Sequence, residues 1–545
     1  MITVQLNRQN FEYDVHSLVK AFYPEEDVQI TYALPEGEVV SEDSVQKQRK
    51  APEEETVPSL RLVISFGGDE EDQTDGITEG QITVTFIDAD GNTALEDGIS
   101  MNWSADRKEV KNELKRLMYR MLSAYSGQEL PWGNLTGIRP TKIPMALLEQ
   151  GWKNSEIAQY MRDTYYTSNE KTALAVAIAN KERHILRNIN YKNGYSLYVG
   201  IPFCPSICLY CSFSSSPLHI WKDKVDQYLD ALCHEIDYVS DAFADKELNT
   251  VYIGGGTPTT LEPHQLDRLL TKLEEKFCYD KLQEFTVEAG RPDSITKEKL
   301  EVLRKHNISR ISINPQTMNQ ETLDLIGRRH TVEETVEAFR LARELGFDNI
   351  NMDLIVGLPG EEKEQVEYTL KELAKLDPDS ITVHSLAVKR AARLRLFKEE
   401  HKEMTMTNNR EIMDMTAEYA RQAGMFPYYL YRQKNMAGNF ENVGYAKEGK
   451  EGIYNILIME EVQSILALGA GASTKMVWAQ DRIERIENVK DIKNYIERID
   501  EMIDRKRSGL YGTYGWSVYS LYNPYLFFFL QTYTFSPKTA SIFFP

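Results

Sequence analysis

The chain is predicted to be an α/β protein built on an open, partial barrel of six β/α units, (β/α)6, with an N-terminal α+β accessory domain and a small C-terminal domain. Three observations lead there. From Ser196 onward, short β-branched runs alternate with amphipathic helical stretches, the pattern of a parallel sheet with right-handed crossovers. Six such units are too few for the eight-stranded closed ring. Three grouped cysteines and several polar residues fall at or just past the ends of those runs, where parallel α/β folds gather their ligands.

Taken in order, residues 1–186 carry no cysteine and alternate in strand fashion at 61–66 and 81–86, on either side of an acidic run at 67–80. The mixed-charge stretch 36–55 reads as a surface loop and 108–125 as a helix, so the whole reads as the accessory domain. Residues 187–405 hold the barrel runs SLYVGIPF, TVYIGGG, EFTVEAG, SRISINP, INMDLIVGLP and SITVHSLA. Between them, the stretch 225–243 places Tyr228, Leu229, Leu232, Ile236 and Val239 on one helical face. Residues 406–507 read as a smaller domain closed by an amphipathic helix around 483–503. The aromatic-rich tail 508–545 has no clear period, and its apolar core YLFFFL is too short to cross a bilayer.

Composition narrows the function classes. A formal charge of −20 argues against a broad nucleic-acid-binding surface. No run of about 20 apolar residues suggests a spanning helix, and the first residues show no cleavable leader. Grouped cysteines in such a chain point to the cytoplasm and a metal site, not to disulfides.

The richest segment is residues 198–213, YVGIPFCPSICLYCSF, with Cys204, Cys208 and Cys211 spaced C-x3-C-x2-C. Three thiolates can hold three irons of a 4Fe–4S cube and leave the fourth iron open for chemistry. Tetrahedral zinc is the alternative, with His219 or Cys233 as fourth ligand. Cys233 and Cys278 otherwise read as buried apolar side chains within helices. The glycine run 254–256, followed by Thr257 and Pro258, lacks the Lys-Ser/Thr of a phosphate-cradling loop, yet bare backbone there permits close approach of a ligand. Glu288, at the end of EFTVE, is placed to accept hydrogen bonds from an ammonium or a ribose.

With these features together, the chain resembles the radical S-adenosylmethionine (SAM) superfamily. The blocks IPFCPSICLYC, GGGTPT, RISINPQTMNQETLDLIGRRH and NMDLIVGLPGE, continuing to Ala387, are similar to the oxygen-independent coproporphyrinogen III dehydrogenase group. WGNLTGIRPTK and YRQKNMAGNFENVGYA bring the likeness nearest to HemZ-type proteins, over about residues 132–507. The resemblance implies that Tyr198, Gly255 and Glu288 contact the SAM on the cluster. It implies that Tyr210, Gly256, Thr257, Gln316, Arg328, Asp353 and Ala387 contact a second SAM, with no catalytic side chain beyond cluster and cofactor. The implied activity is decarboxylation of coproporphyrinogen III propionates to vinyl groups in porphyrin and heme biosynthesis, fed by a low-potential electron donor of flavodoxin or ferredoxin type. Arg328, Arg329, Lys389 and Arg390 are candidate cations for the substrate carboxylates. Arg139 and Lys142 either close over the site or form surface salt bridges. Two positions depart from the dehydrogenases: Phe213 stands where they carry a fourth cysteine, and Gly200 where they carry a histidine. Phenylalanine there is typical of the heme-chaperone branch, so a heme-binding chaperone that keeps the cluster, or radical chemistry on another substrate, are the alternatives.

Overall fold

A computed structural model describes residues 1–32, 58–67, 79–387, 393–394, 404–433, 440–478 and 482–511. The readings made for the 36–55 loop, most of the acidic run 67–80, Lys389, Arg390 and the tail from 512 lie outside the described residues.

The chain opens with a five-stranded sheet of β1 (Ile2–Leu6), β2 (Val28–Tyr32), β3 (Leu60–Gly67), β4 (Glu79–Asp88) and β5 (Thr93–Asn102), in the order β2-β1-β3-β4-β5. The first three run parallel and the last two antiparallel. Alternation decides which face is covered: Leu60, Leu62, Ile64 and Phe66 of β3 and Ile82, Val84 and Phe86 of β4 are buried while their neighbours are not. The helices Glu12–Phe22 and Arg107–Ser126 supply the other half of this core. Asp106 starts the second helix by accepting from the Lys108 amide, and Gly127 ends it in the left-handed conformation.

Residues 1–186 do not share one core. Leu130 belongs to the N-terminal cluster, whereas Trp132 and the helices Lys142–Glu149, Asn154–Tyr165 and Asn169–Leu186 pack into the large core of the second sheet.

That second sheet starts with β6 (Gly194–Ile201), and in the loop after it the short strands β7 (Phe203–Cys204) and β8 (Ser216–Pro217) pair with each other. β9 (Glu247–Gly255), β10 (Glu284–Gly290), β11 (Arg310–Ile313), β12 (Ile350–Val356) and β13 (Ser380–Ser385) follow, all parallel and in chain order, with helices between. These strands are buried on both faces; every residue of β11 is buried. The helix Val225–Ala242 buries Tyr228, Leu229, Leu232, Ile236 and Val239 as its spacing requires.

The same sheet continues at both edges. β15 (Asn442–Ala446) adds antiparallel to β13 and β14 (Phe426–Tyr431) antiparallel to β15, while β16 (Ser464–Leu468) adds parallel to β6, followed by β17 (Ser473–Val477) and β18 (Ile483–Glu487). The eleven strands end at β14 and β18 without closing, so the barrel is partial. Residues 406–507 therefore extend the barrel sheet and share its core, which differs from the separate unit expected of them.

Two local expectations are corrected. The helix expected around 483–503 begins as β18, because pairing with β17 takes residues 483–487. Asp491 then caps the helix Ile492–Glu497, and Ile499–Tyr511 follows. Cys278 is exposed and lies beyond the helix Pro263–Lys276, because Phe277 takes the buried position at its end; Cys233 sits on the helix Val225–Ala242, half-buried.

Candidate functional site

A cavity of about 480 Å3 opens at the C-terminal ends of the parallel strands. Every residue singled out from the sequence as a cluster or SAM contact lines it: Cys204, Cys208, Cys211, Tyr198, Tyr210, Gly255, Gly256, Thr257, Glu288, Gln316, Arg328, Asp353 and Ala387. His219, Cys233 and the exposed Arg329 do not.

The cysteine loop is fixed from behind by the glycine run. The Gly256 amide donates to the Ile201 carbonyl (2.7 Å) and the Thr257 amide to that of Phe203 (2.7 Å). A Cβ at residue 256 would stand 2.5 Å from the Phe203 oxygen, so only glycine permits this approach; Gly255 adopts φ +108°. The Thr257 hydroxyl donates to Cys204 Sγ at 3.6 Å. Burial pushes the Cys204 thiol up in pKa, and the hydrogen bond from Thr257 offsets part of that.

Arg291, which sequence reading missed, braces the same loop. Its Nη1 donates to Cys208 Sγ (3.6 Å), Ser206 Oγ (2.9 Å) and the Ser206 carbonyl (3.2 Å), while Asp293 holds the rest of the guanidinium at 2.9 and 2.6 Å. Its signal was available, since it follows β10 directly. Three thiols on one wall, with a hydroxyl and a guanidinium donating to two of them, fit a cluster held by three thiolates. Among the described residues no three His, Cys, Asp or Glu side chains converge to hold a single ion. A cubane makes no such demand, since each thiolate binds a separate corner.

Across the cavity, Glu288 at the end of β10 accepts from the Tyr252 hydroxyl. Burial raises its pKa to about 7; Tyr252, Arg310 and the Gly255 amide pull the other way, while Asp353 adds to the rise. The rings of Tyr198, Tyr252 and Tyr454 stack, the last two with centroids 4.6 Å apart. For Asp353 burial works upward, but His384 (3.8 Å), Asn351 (2.7 Å) and Thr382 outweigh it and the net shift is downward.

Gln316 lies past β11 with φ +68°, a strained conformation for a side-chain-bearing residue. The strain lets its amide donate to the Asp353 carbonyl (3.0 Å) and its carbonyl accept from Ile355 (2.9 Å), while buried Oε1 keeps no partner. Arg328 is 3% exposed, donating through Nη2 to the Asn314 carbonyl (2.6 Å) and through Nη1 to Tyr210 Oη (3.3 Å). Close to it, the ring nitrogens of buried His330 carry no hydrogen bond, and burial followed by Arg328 pulls its pKa down to about 4.

The motif WGNLTGIRPTK serves as a clamp. Trp132 Nε1 and Lys171 Nζ both donate to Glu441, at 2.7 and 2.6 Å, and Arg432 Nη1 donates to the Leu135 carbonyl at 2.6 Å. Arg139 donates to the Met459 carbonyl (2.7 Å) and, with Lys142, pairs with Glu461. Met459, Ser385 and Asn442 line the cavity, and Ser385 Oγ donates to the Glu441 carbonyl, so the clamp braces the cavity wall. Phe213 is 74% exposed at the cavity, and Gly200 lies outside its lining, its carbonyl accepting from Tyr228.

Residues 198–373 match the radical SAM superfamily. The chain is 42% identical over 374 residues to the oxygen-independent coproporphyrinogen-III oxidase-like protein HemZ of Bacillus subtilis, covering 68% of this chain and 75% of that protein. It is 32% identical over 279 residues to the heme chaperone HemW of Lactococcus lactis, covering 51% and 69%. To the oxygen-independent coproporphyrinogen III oxidase of Escherichia coli it is 38% identical over 192 residues, covering 35% and 42%. No helix among the described residues is long and apolar enough to cross a membrane.

Proposed function

Since the chain belongs to the radical SAM superfamily and, within it, to the coproporphyrinogen III oxidase-like group of HemZ, we propose that it decarboxylates propionate side chains of coproporphyrinogen III to vinyl groups without oxygen. The observation that carries this reading is the convergence of the three cysteines, the glycine run and the strand-end polar residues on one cavity. Cys204, Cys208 and Cys211 would hold a 4Fe–4S cluster. Tyr198, Gly255 and Glu288 would hold the SAM bound to it, and Tyr210, Gly256, Thr257, Gln316, Arg328, Asp353 and Ala387 a second. When bound, cluster and nucleotide supply one-electron, hydrogen-abstracting chemistry, with electrons from a flavodoxin- or ferredoxin-type donor.

The side chains bind and orient. With its pKa near 7, Glu288 in its ionised form accepts from an ammonium, while Tyr252 fixes its direction. Asp353, held below the usual carboxylate range, keeps its charge for a second ammonium. Arg328 presents a guanidinium that matches a carboxylate. The stacked rings of Tyr198, Tyr252 and Tyr454 line the cavity and offer a flat apolar wall to a bound ligand.

A heme-chaperone role is favoured by a different feature of the site. Phe213 stands exposed at the cavity in place of a cysteine, and the likeness to HemW covers 69% of that heme chaperone. Anaerobic incubation of the reconstituted protein with SAM, a low-potential reductant and coproporphyrinogen III separates the two. Release of carbon dioxide with a vinyl-bearing product supports the dehydrogenase. Formation of 5′-deoxyadenosine with no carbon dioxide sinks it, and tight heme binding without turnover supports the chaperone.

A further inference from the structure

Arg310, at the start of β11, lines the cavity with its side chain 2% exposed. A buried guanidinium is costly unless its five donors are met. Here they are not. Nη2 reaches Ser380 Oγ only at 3.3 Å, Nε donates to nothing, and among the described residues no carboxylate comes within ion-pair distance.

The surrounding carboxylates are already committed. Glu284 accepts from the Ile453 amide and the Thr286 hydroxyl (2.8 Å), Glu288 from Tyr252, and Asp353 from Asn351. Burial works against the charge of Arg310, but Tyr428, Glu284, Tyr252 and Asp353 outweigh it, so the group stays a cation. Arg328 differs, because a 2.6 Å bond to a carbonyl and a tyrosine hydroxyl meet part of its demand. A guanidinium in a cavity lining, with Nε unmet and Nη2 held only weakly, matches one ligand chemistry, a carboxylate taken bidentately.

We propose that Arg310 is the carboxylate receptor of the cavity, pairing with a propionate of the tetrapyrrole or with the methionine carboxylate of a bound SAM. The inference rests on the functional reading above and adds to it the group that orients the ligand. Arg310 is then a specificity-determining residue, because an esterified or amidated ligand leaves its donors unmet.

The test compares wild-type protein with Arg310→Gln and Arg310→Lys, each checked by its thermal melt. Three probes are titrated into cluster-loaded protein: coproporphyrin III, its tetramethyl ester, and SAM. Loss of a charged hydrogen-bond pair is expected to weaken the carboxylate ligand about ten- to a hundredfold in Arg310→Gln, with part of the loss restored in Arg310→Lys. A porphyrin acid that weakens while its ester does not assigns the carboxylate to the substrate. A SAM affinity that falls alone assigns it to the nucleotide, and either outcome supports the pairing. A folded Arg310→Gln with both affinities unchanged overturns it. If the Gln variant does not fold, Arg310→Lys and the wild-type acid-to-ester ratio decide: equal binding of acid and ester, together with an unaltered SAM affinity in Arg310→Lys, overturns it as well. Wild-type protein that binds no coproporphyrin sinks the substrate reading, and the SAM titration alone then judges Arg310.

Discussion

Two of the places where the barrel buries charge are finished differently. At the clamp, where the helices of residues 142–186 pack, Glu441 is 1% exposed and both its oxygens are met, one by Lys171 and the other by Trp132. At the cavity, Gln316 Oε1, Arg328 Nε and Arg310 Nε are all buried and unpartnered. Folded proteins satisfy nearly all buried polar groups, so unmet ones grouped in one cavity mark a place that a ligand completes. The clamp has an exception of its own. Glu182 is fully buried with no donor, and burial followed by its neighbour Glu460, a second carboxylate, raises its pKa well above the ordinary glutamate range.

The comparison is tested most severely at the cysteines. Replacing Cys204, Cys208 or Cys211 with alanine is expected to abolish iron binding while the thermal midpoint of the metal-free chain holds, whereas Cys233→Ala and Cys278→Ala keep the iron. An unchanged iron count in Cys208→Ala breaks the assignment. At the clamp the expected effect is on folding. Glu441→Ala strands the buried Lys171 ammonium and should cost about 3–5 kcal/mol, read by urea unfolding; a loss below about 1 kcal/mol removes the contrast with the cavity. The smallest effect belongs to Glu182. Its raised pKa keeps it protonated in the fold while the unfolded chain ionises, so its stabilisation is full below the usual glutamate range and is lost as pH rises through the raised value. Glu182→Gln cannot ionise, and its thermal midpoint should exceed that of wild type by a few degrees at about pH 8 and match it at about pH 4. A gain confined to the acid side reverses the sign and refutes the raised pKa of Glu182.

What could be read from the sequence divides along physical lines. The strands of the parallel sheet announce themselves because burial on both faces demands short apolar runs such as LYVGI and TVYI. Glu288 is legible because parallel strands deliver their ends to one place, and Asp353 because a carboxylate inside an apolar run is costly without a partner. Arg310 escapes that rule, since it begins a strand and reaches the cavity through the barrel interior. Residues 483–487 look helical by composition, and only their pairing with β17 makes them a strand. The clamp motif was legible as a family likeness, but its role needed the contact between Trp132 and Glu441, residues far apart along the chain.

The two hydrogen bonds that tie the Gly256 and Thr257 amides to the backbone on either side of Pro202 have one more consequence. A turn and a metal loop stitched together in this way are ordered as a single body. By thermodynamic reciprocity, any factor by which iron–sulfur assembly tightens nucleotide affinity is returned when the nucleotide stabilises the assembled iron. Loss of iron to oxygen should therefore slow in the presence of SAM, a protection that follows from two backbone contacts and needs no movement elsewhere in the barrel.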